Sequence, residues 1–197
     1  GVVWRNTSEA AMRSTLVHEA SHFLMVRGGA SWAPMWLHEG MATLFGNARL
    51  SGNAVYLDPP SGIGPALKRI ETTIPPIGTL LTEPGAWRAI GATPRHGSPE
   101  YSVGWSLCAF LMASDRGKNV LRTLLQTPPG PRMVAVLETW PGGLRAFDRE
   151  WRSWSASPRA TQLPIRSTAP AAAGGGWIQC GNGRMIRADS GLRCPER

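Results

Sequence analysis

The stretch Leu16-Val17-His18-Glu19-Ala20-Ser21-His22-Phe23 decides how this chain is read. Its surroundings predict a helix over 8–27: Ser8 is a candidate N-cap, Glu9 sits in the first turn, and Gly28-Gly29 stops the run. On a helix, residues four apart share a face. His18 and His22 therefore project together, close enough to hold one metal ion through their ring nitrogens. Glu19 lies on the flank of that face. There a carboxylate can take a proton from a metal-activated water and pass it to a leaving group. A hydrolytic metal needs a third protein ligand and one open position. The next predicted helix, over 34–48, carries Trp36-Leu37-His38-Glu39-Gly40-Met41-Ala42, with Pro34 in its first turn, where a missing N–H does no harm. An antiparallel return places Glu39 opposite the two imidazoles. His38 competes for that role, but neighbours on a helix point about 100° apart, so only one of the two can face the metal. Gly40 and Ala42 are small and are expected to let this helix approach the first closely.

Together, His18-Glu19-Ala20-Ser21-His22 and Trp36-Leu37-His38-Glu39-Gly40-Met41-Ala42 resemble the gluzincin metallopeptidases. In these the second motif has the form W-L-x-E-G-x-A and its Glu completes the zinc site. The short spacing looks most like the peptidase MA-like group of bacterial proteins, and two later stretches look like its downstream helices. These are Tyr101-Ser102-Val103-Gly104-Trp105 and Phe147-Asp148-Arg149-Glu150-Trp151. The likeness covers roughly residues 8–156. It implies a Zn2+ cofactor held by His18, His22 and Glu39, Glu19 as general base, and a peptide or protein substrate. It further implies an oxyanion-stabilising side chain. Tyr101 is the choice over Tyr56 and His96, because it opens a helix in a shared motif. Three departures stand out. Thr43 occupies a position where some gluzincins place a ligand-orienting acid, and the aminopeptidase motif G-x-M-E-N is absent. Few residues precede Ser8, with Val2-Val3-Trp4 as a strand remnant, so the chain is expected to be a fragment or to have lost most of the sheet that zincins place before the active-site helix.

Beyond the two motifs, residues 53–58 predict a short strand, 63–72 a short helix and 75–92 an irregular Pro/Gly-rich stretch. Helices are predicted over 99–114, 118–126, 132–140 and 144–155, separated by breakers such as Thr127-Pro128-Pro129-Gly130. The expected fold class is mainly α, α+β at most: a zincin-like helical domain over 1–156 with little or no N-terminal sheet. Residues 157–176 read as a linker by composition, and 177–197 as a small hairpin bracketed by Cys180 and Cys194. Trp32, Trp36, Trp105, Trp140, Trp151 and Trp154 read as packing residues.

The 197 residues carry 21 Lys+Arg against 13 Asp+Glu, a net charge of +8, without a basic block or a nucleic-acid motif. A nucleic-acid partner is not expected, and no window is apolar enough for a membrane span. Cys108 falls in an apolar helical run and reads as core, whereas Cys180 and Cys194 read as a disulfide, which belongs to an oxidising compartment. Together with the export habit of the resembled family, this points to a periplasmic or secreted protein. Arg184, Arg187, Arg193 and Arg197 of the tail read first as a solvated face, and second as a contact for an anionic cell envelope. The functional expectation is a zinc-dependent peptide hydrolase; the alternative is a non-catalytic zincin-like scaffold or envelope-binding module.

Overall fold

A computed structural model describes residues 8–51, 54–60, 63–64, 67–68, 74–83, 85–86, 99–157, 165–168, 177–179 and 185–187. Val2–Trp4, His96, Cys180, Cys194, Arg184, Arg193, Arg197 and most of the expected helix over 63–72 lie outside them. The described chain is mainly helical. Helix α1 (Glu9–Arg27) opens where expected: Ser8 is its N-cap and the side-chain oxygen accepts from Ala11 N at 3.2 Å. It closes on Gly28, whose N–H donates to Leu24 O, followed by Gly29 at φ 87°, where glycine carries no Cβ penalty. Helix α2 (Met35–Gly46) begins just past Pro34, which serves as N-cap.

α2 is the central helix. Trp36, Leu37, Met41, Ala42 and Leu44 are all buried along it. It lies between α1 and α4 (Pro99–Met112). Both approaches depend on glycine, but not as the sequence implied. Gly40 faces α4 rather than α1: a Cβ there would sit 2.4 Å from Gly104 O, and one on Gly104 would sit 2.6 Å from Trp36 O. Two glycines thus let these backbones touch. The approach to α1 is made by Gly46 instead, against Ser14 and His18. Gly46 meets Ser14 and His18, while Glu39 meets His18 and His22. Those pairings run in opposite order, so α1 and α2 are antiparallel.

The second half completes the core. α5 (Asp115–Leu125) starts at Ser114, which caps it by accepting from Gly117 N at 3.0 Å, and buries Val120, Leu121 and Leu124. This start is earlier than expected because Ser114 outcompetes the charged turn as a cap. α6 (Pro131–Glu138) and α7 (Gly143–Ala156) follow. Phe110, Trp140, Phe147 and Trp154 form an aromatic cluster with centroids 5.3–5.9 Å apart. Trp151 Nε1 donates to Ser106 Oγ at 3.1 Å in the buried interior. Of the tryptophans expected to pack, Trp36, Trp105, Trp140 and Trp151 are buried and Trp154 is packed against the core. Trp32 is a correction: it stands 47% exposed in the turn between α1 and α2.

Three further expectations change. The stretch over 75–92 contains a helix, α3 (Ile77–Thr82), because Ile77, Leu80 and Leu81 bury one face and Asp148 Oδ1 accepts from Ile77 N at 3.0 Å. The second helix stops at Gly46 rather than at 48, giving way to strand β1 (Ala48–Ser51). The strand expected over 53–58 is β2 (Ala54–Leu57), which pairs antiparallel with β1, Ala48 opposite Leu57. Within the span read as linker, β3 (Ile165–Thr168) pairs antiparallel with the other edge of β2, so the sheet order is β1-β2-β3. Backbone pairing with a strand a hundred residues away leaves little trace in composition. The tail hairpin is present as β4 (Trp177–Gln179) against β5 (Met185–Arg187). No described helix is long and apolar enough to cross a membrane.

Candidate metal centre

α1 and α2 bring three donor atoms to one point. His18 Nε2 and His22 Nε2 are 3.2 Å apart, and Glu39 Oε2 lies 3.3 Å from the first and 3.6 Å from the second. Four-coordinate zinc binds nitrogen at about 2.0–2.1 Å and oxygen at about 2.0–2.2 Å, so the edges of its tetrahedron measure roughly 3.3–3.5 Å. The observed triangle has that size. Glu39 Oε2 is buried, and its carboxylate leans on the His18 imidazole in a hydrogen bond of marginal geometry at 3.3 Å. A buried carboxylate so weakly matched is costly unless a cation meets it. These residues therefore fit a divalent cation. Two imidazoles with one carboxylate suit zinc and other first-row divalent ions alike.

The local electrostatics agree. Burial alone pushes the Glu39 carboxyl up, but the imidazoles of His18, His22 and His38 outweigh it and hold the group below the ordinary carboxylate range. Burial, with a smaller push from His18, holds His22 below the ordinary imidazole value despite the nearby carboxylates of Glu39 and Glu19. A low imidazole pKa keeps His22 neutral, the form that ligates metal.

The centre opens into a cavity of about 520 Å³ lined by His18, Glu19, His22, Ala33, Met35, His38, Glu39 and Tyr101. All five residues expected at the site thus meet at one place. Glu19 is exposed on the α1 side. Tyr101, at the start of α4, enters from a helix over sixty residues away in sequence, and its ring centroid lies 6.4 Å from that of His18. The competition between His38 and Glu39 is resolved by a carbonyl. His38 Nε2 is 2.9 Å from Ala30 O, and since that oxygen can only accept, Nε2 carries the proton and donates to it, and His38 does not join the group of His18, His22 and Glu39. The His38 ring instead leans against His22, with centroids 5.8 Å apart. Thr43 does not supply a ligand-orienting hydrogen bond: its hydroxyl is buried without one.

Sequence reasoning missed Ala33 and Met35. Neither carries chemistry, and only the fold of residues 28–34 sets them on the cavity wall. That segment is pinned by Ala30 N to Met25 O at 2.9 Å and by Ala33 N to Ala30 O at 3.0 Å. No protein-family model matches this chain, and neither the curated proteins nor the solved structures contain a match to it.

Proposed function

We propose that this chain is a zinc-dependent hydrolase that cleaves peptide bonds in the manner of the gluzincins. One observation carries the reading: two imidazole nitrogens and a carboxylate oxygen converge at tetrahedral edge distances beside an exposed glutamate, at the base of an open cavity. A structural zinc usually fills its fourth position with protein, and none of the other described His, Cys, Asp or Glu side chains joins this group of three. His18, His22 and Glu39 are the residues that would hold the ion. When bound, zinc supplies a Lewis acid that polarises a carbonyl and acidifies water. Glu19 faces the cavity, where its carboxylate accepts a proton from water and returns it to the leaving amine. Tyr101 offers a phenolic O–H on the same cavity wall, suited to an oxyanion.

The test is zinc content per chain, by elemental analysis of protein purified without added metal, beside a Glu39→Ala control, followed by peptide hydrolysis. About one zinc in the native chain, little in the control, and cleavage lost in Glu19→Gln support the reading. Zinc retained without any peptide cleavage leaves the scaffold alternative in its place.

A further inference from the structure

We infer that His38, which does not join the three metal donors, is a positioning residue for them: tethered to the connector between α1 and α2, its ring restrains the His22 imidazole. The inference rests on the metal-centre half of the reading above, not on hydrolysis, and names a further residue on which that centre depends. The two imidazole ligands are not held alike. His18 has 7% of its side chain exposed and packs at the close approach made by Gly46, whereas 26% of the His22 side chain is exposed. The His22 imidazole has rings for neighbours. His18 meets it edge-on, with centroids 4.9 Å apart and planes at 79°, and His38 lies at 5.8 Å with planes at 30°. Two rings at such different inclinations restrict how that imidazole can turn. A ligand whose orientation is already restricted loses less freedom when it binds, and the difference appears as affinity.

His38 can restrain a neighbour because its own ring is fixed at both ends. Its backbone belongs to α2, and Nε2, at the far tip of the ring, donates to Ala30 O at 2.9 Å. A bond at the tip holds both side-chain torsions. The acceptor is anchored in turn. Ala30 is 5% exposed, and its N–H donates to Met25 O, in the last turns of α1, at 2.9 Å. Locking the connector would be the plainer task for this hydrogen bond, but the connector is locked without it. Ala30 O also accepts from Ala33 N at 3.0 Å. Removing the His38 donor therefore leaves that buried carbonyl matched, so the fold is spared while the ring loses its tether. The ring itself lines the cavity beside His22 and Glu39. A structural role and a positioning role thus separate by experiment.

The experiment uses the full chain with Zn2+ and Co2+ as probes. Affinity is read by competition with a chromogenic chelator, and ligand geometry from the visible absorption of bound Co2+. His38→Ala removes ring and tether, His38→Phe keeps a ring without the donor, and His38→Gln keeps a donor without the ring. Loss of an outer partner of a metal ligand typically costs about ten- to a hundredfold in affinity. His38→Ala is expected to bind Zn2+ about tenfold more weakly or worse, and His38→Phe and His38→Gln each to fall several-fold short of native. The Co2+ absorption should change in all three, while the denaturation midpoint of the metal-free chain stays native in His38→Phe. A merely structural role would not produce that combination. If His38→Ala fails to fold, the other two, which keep most of the side chain's bulk, decide. Native affinity with a native Co2+ spectrum in either of those two overturns the inference, because half of the arrangement would then suffice. So does a loss of affinity in His38→Phe matched by an equal loss of metal-free stability. A native chain that takes up no metal removes the metal centre and this inference with it. Metal bound equally by the native chain and the variants removes this inference alone.

Discussion

At the scale of single residues, the site makes unequal demands on its members. Loss of an outer-shell partner typically costs a metal site ten- to a hundredfold in affinity, so removing a direct ligand should cost more. Glu39→Ala is expected to weaken zinc binding by about 100-fold or more, measured by competition with a chromogenic chelator; an affinity within a few-fold of native would mean that another donor takes its place. Glu19→Gln should behave oppositely, keeping the metal and lowering peptide cleavage by roughly 10²- to 10⁴-fold. The pH dependence follows from His22, whose pKa lies below the ordinary imidazole value of 6.5 because it is buried. A depressed value means that protons compete for this ligand only at lower pH. Zinc affinity should therefore hold as pH falls to about 6.5 and decline below it, through the lowered His22 value. A decline that begins well above neutrality would show the ligand to be more basic than its burial implies. By the same sign, the unfolded chain takes up this proton first. The stability tied to His22 is thus present above 6.5 and lost as pH falls through the folded value.

At the scale of elements, the contacts that hold the site are not the ones that would bind metal. Glu39 is placed by α2, and α2 is seated on α4 through Gly40 and Gly104. A methyl group at Gly40 meets backbone, which cannot swing aside, so the helices must separate. Gly40→Ala should destabilise the fold by about 1–3 kcal/mol or more, seen as a lower denaturation midpoint, and should loosen the metal site beside it. A second seat lies between α7 and the chain entering α3. Asp148 accepts from Ile77 N and from Arg152 Nε, while the Arg152 guanidinium donates to the carbonyls of Ile74 at 3.1 Å and Pro75 at 2.8 Å. Removing either partner leaves mostly buried groups unmatched. Arg152→Met should cost about 1–3 kcal/mol in urea denaturation while leaving zinc affinity unchanged, because α7 does not reach the cavity.

At the scale of the whole molecule, α1 differs from the other long helices among the described residues. Its buried residues are His18 and Ser21, whereas α5 and α7 each bury several apolar side chains. α1 packs along α2 and sends Met25 to the core, but its two buried side chains are His18 and Ser21, so whatever joins the imidazoles to Glu39 adds to its hold. Zinc should therefore raise the melting temperature, since a ligand that binds only the folded state stabilises it by mass action. Chelation should increase hydrogen exchange in Glu9–Arg27 and leave Asp115–Ala156 nearly as protected as before. Equal loss of protection in both regions would mean that the metal supports the whole core rather than clamping one helix to it.

The separate layers of the molecule were legible in the sequence to different depths. His18, Glu19 and His22 could be read directly, because helical periodicity alone determines that residues four apart share a face. The start and end of α1 were equally legible, since Ser8 and the Gly28-Gly29 pair act within one turn. The mainly helical class followed from the same local rules. Tertiary structure decided what depends on contacts distant in sequence. It brought Glu39, and not His38, into the group with His18 and His22, while the His38 Nε2 proton goes to the carbonyl of Ala30. It turned Gly40 toward Gly104, set Met35 and Tyr101 on one cavity wall, and paired β3 with β2 from within a stretch composed like a linker. It also left Leu16, Phe23 and Leu24 of α1 exposed, and no periodicity distinguishes an apolar side chain that is packed from one that is open. Local patterns determine which side chains share a face; only the packing of distant segments determines what that face meets.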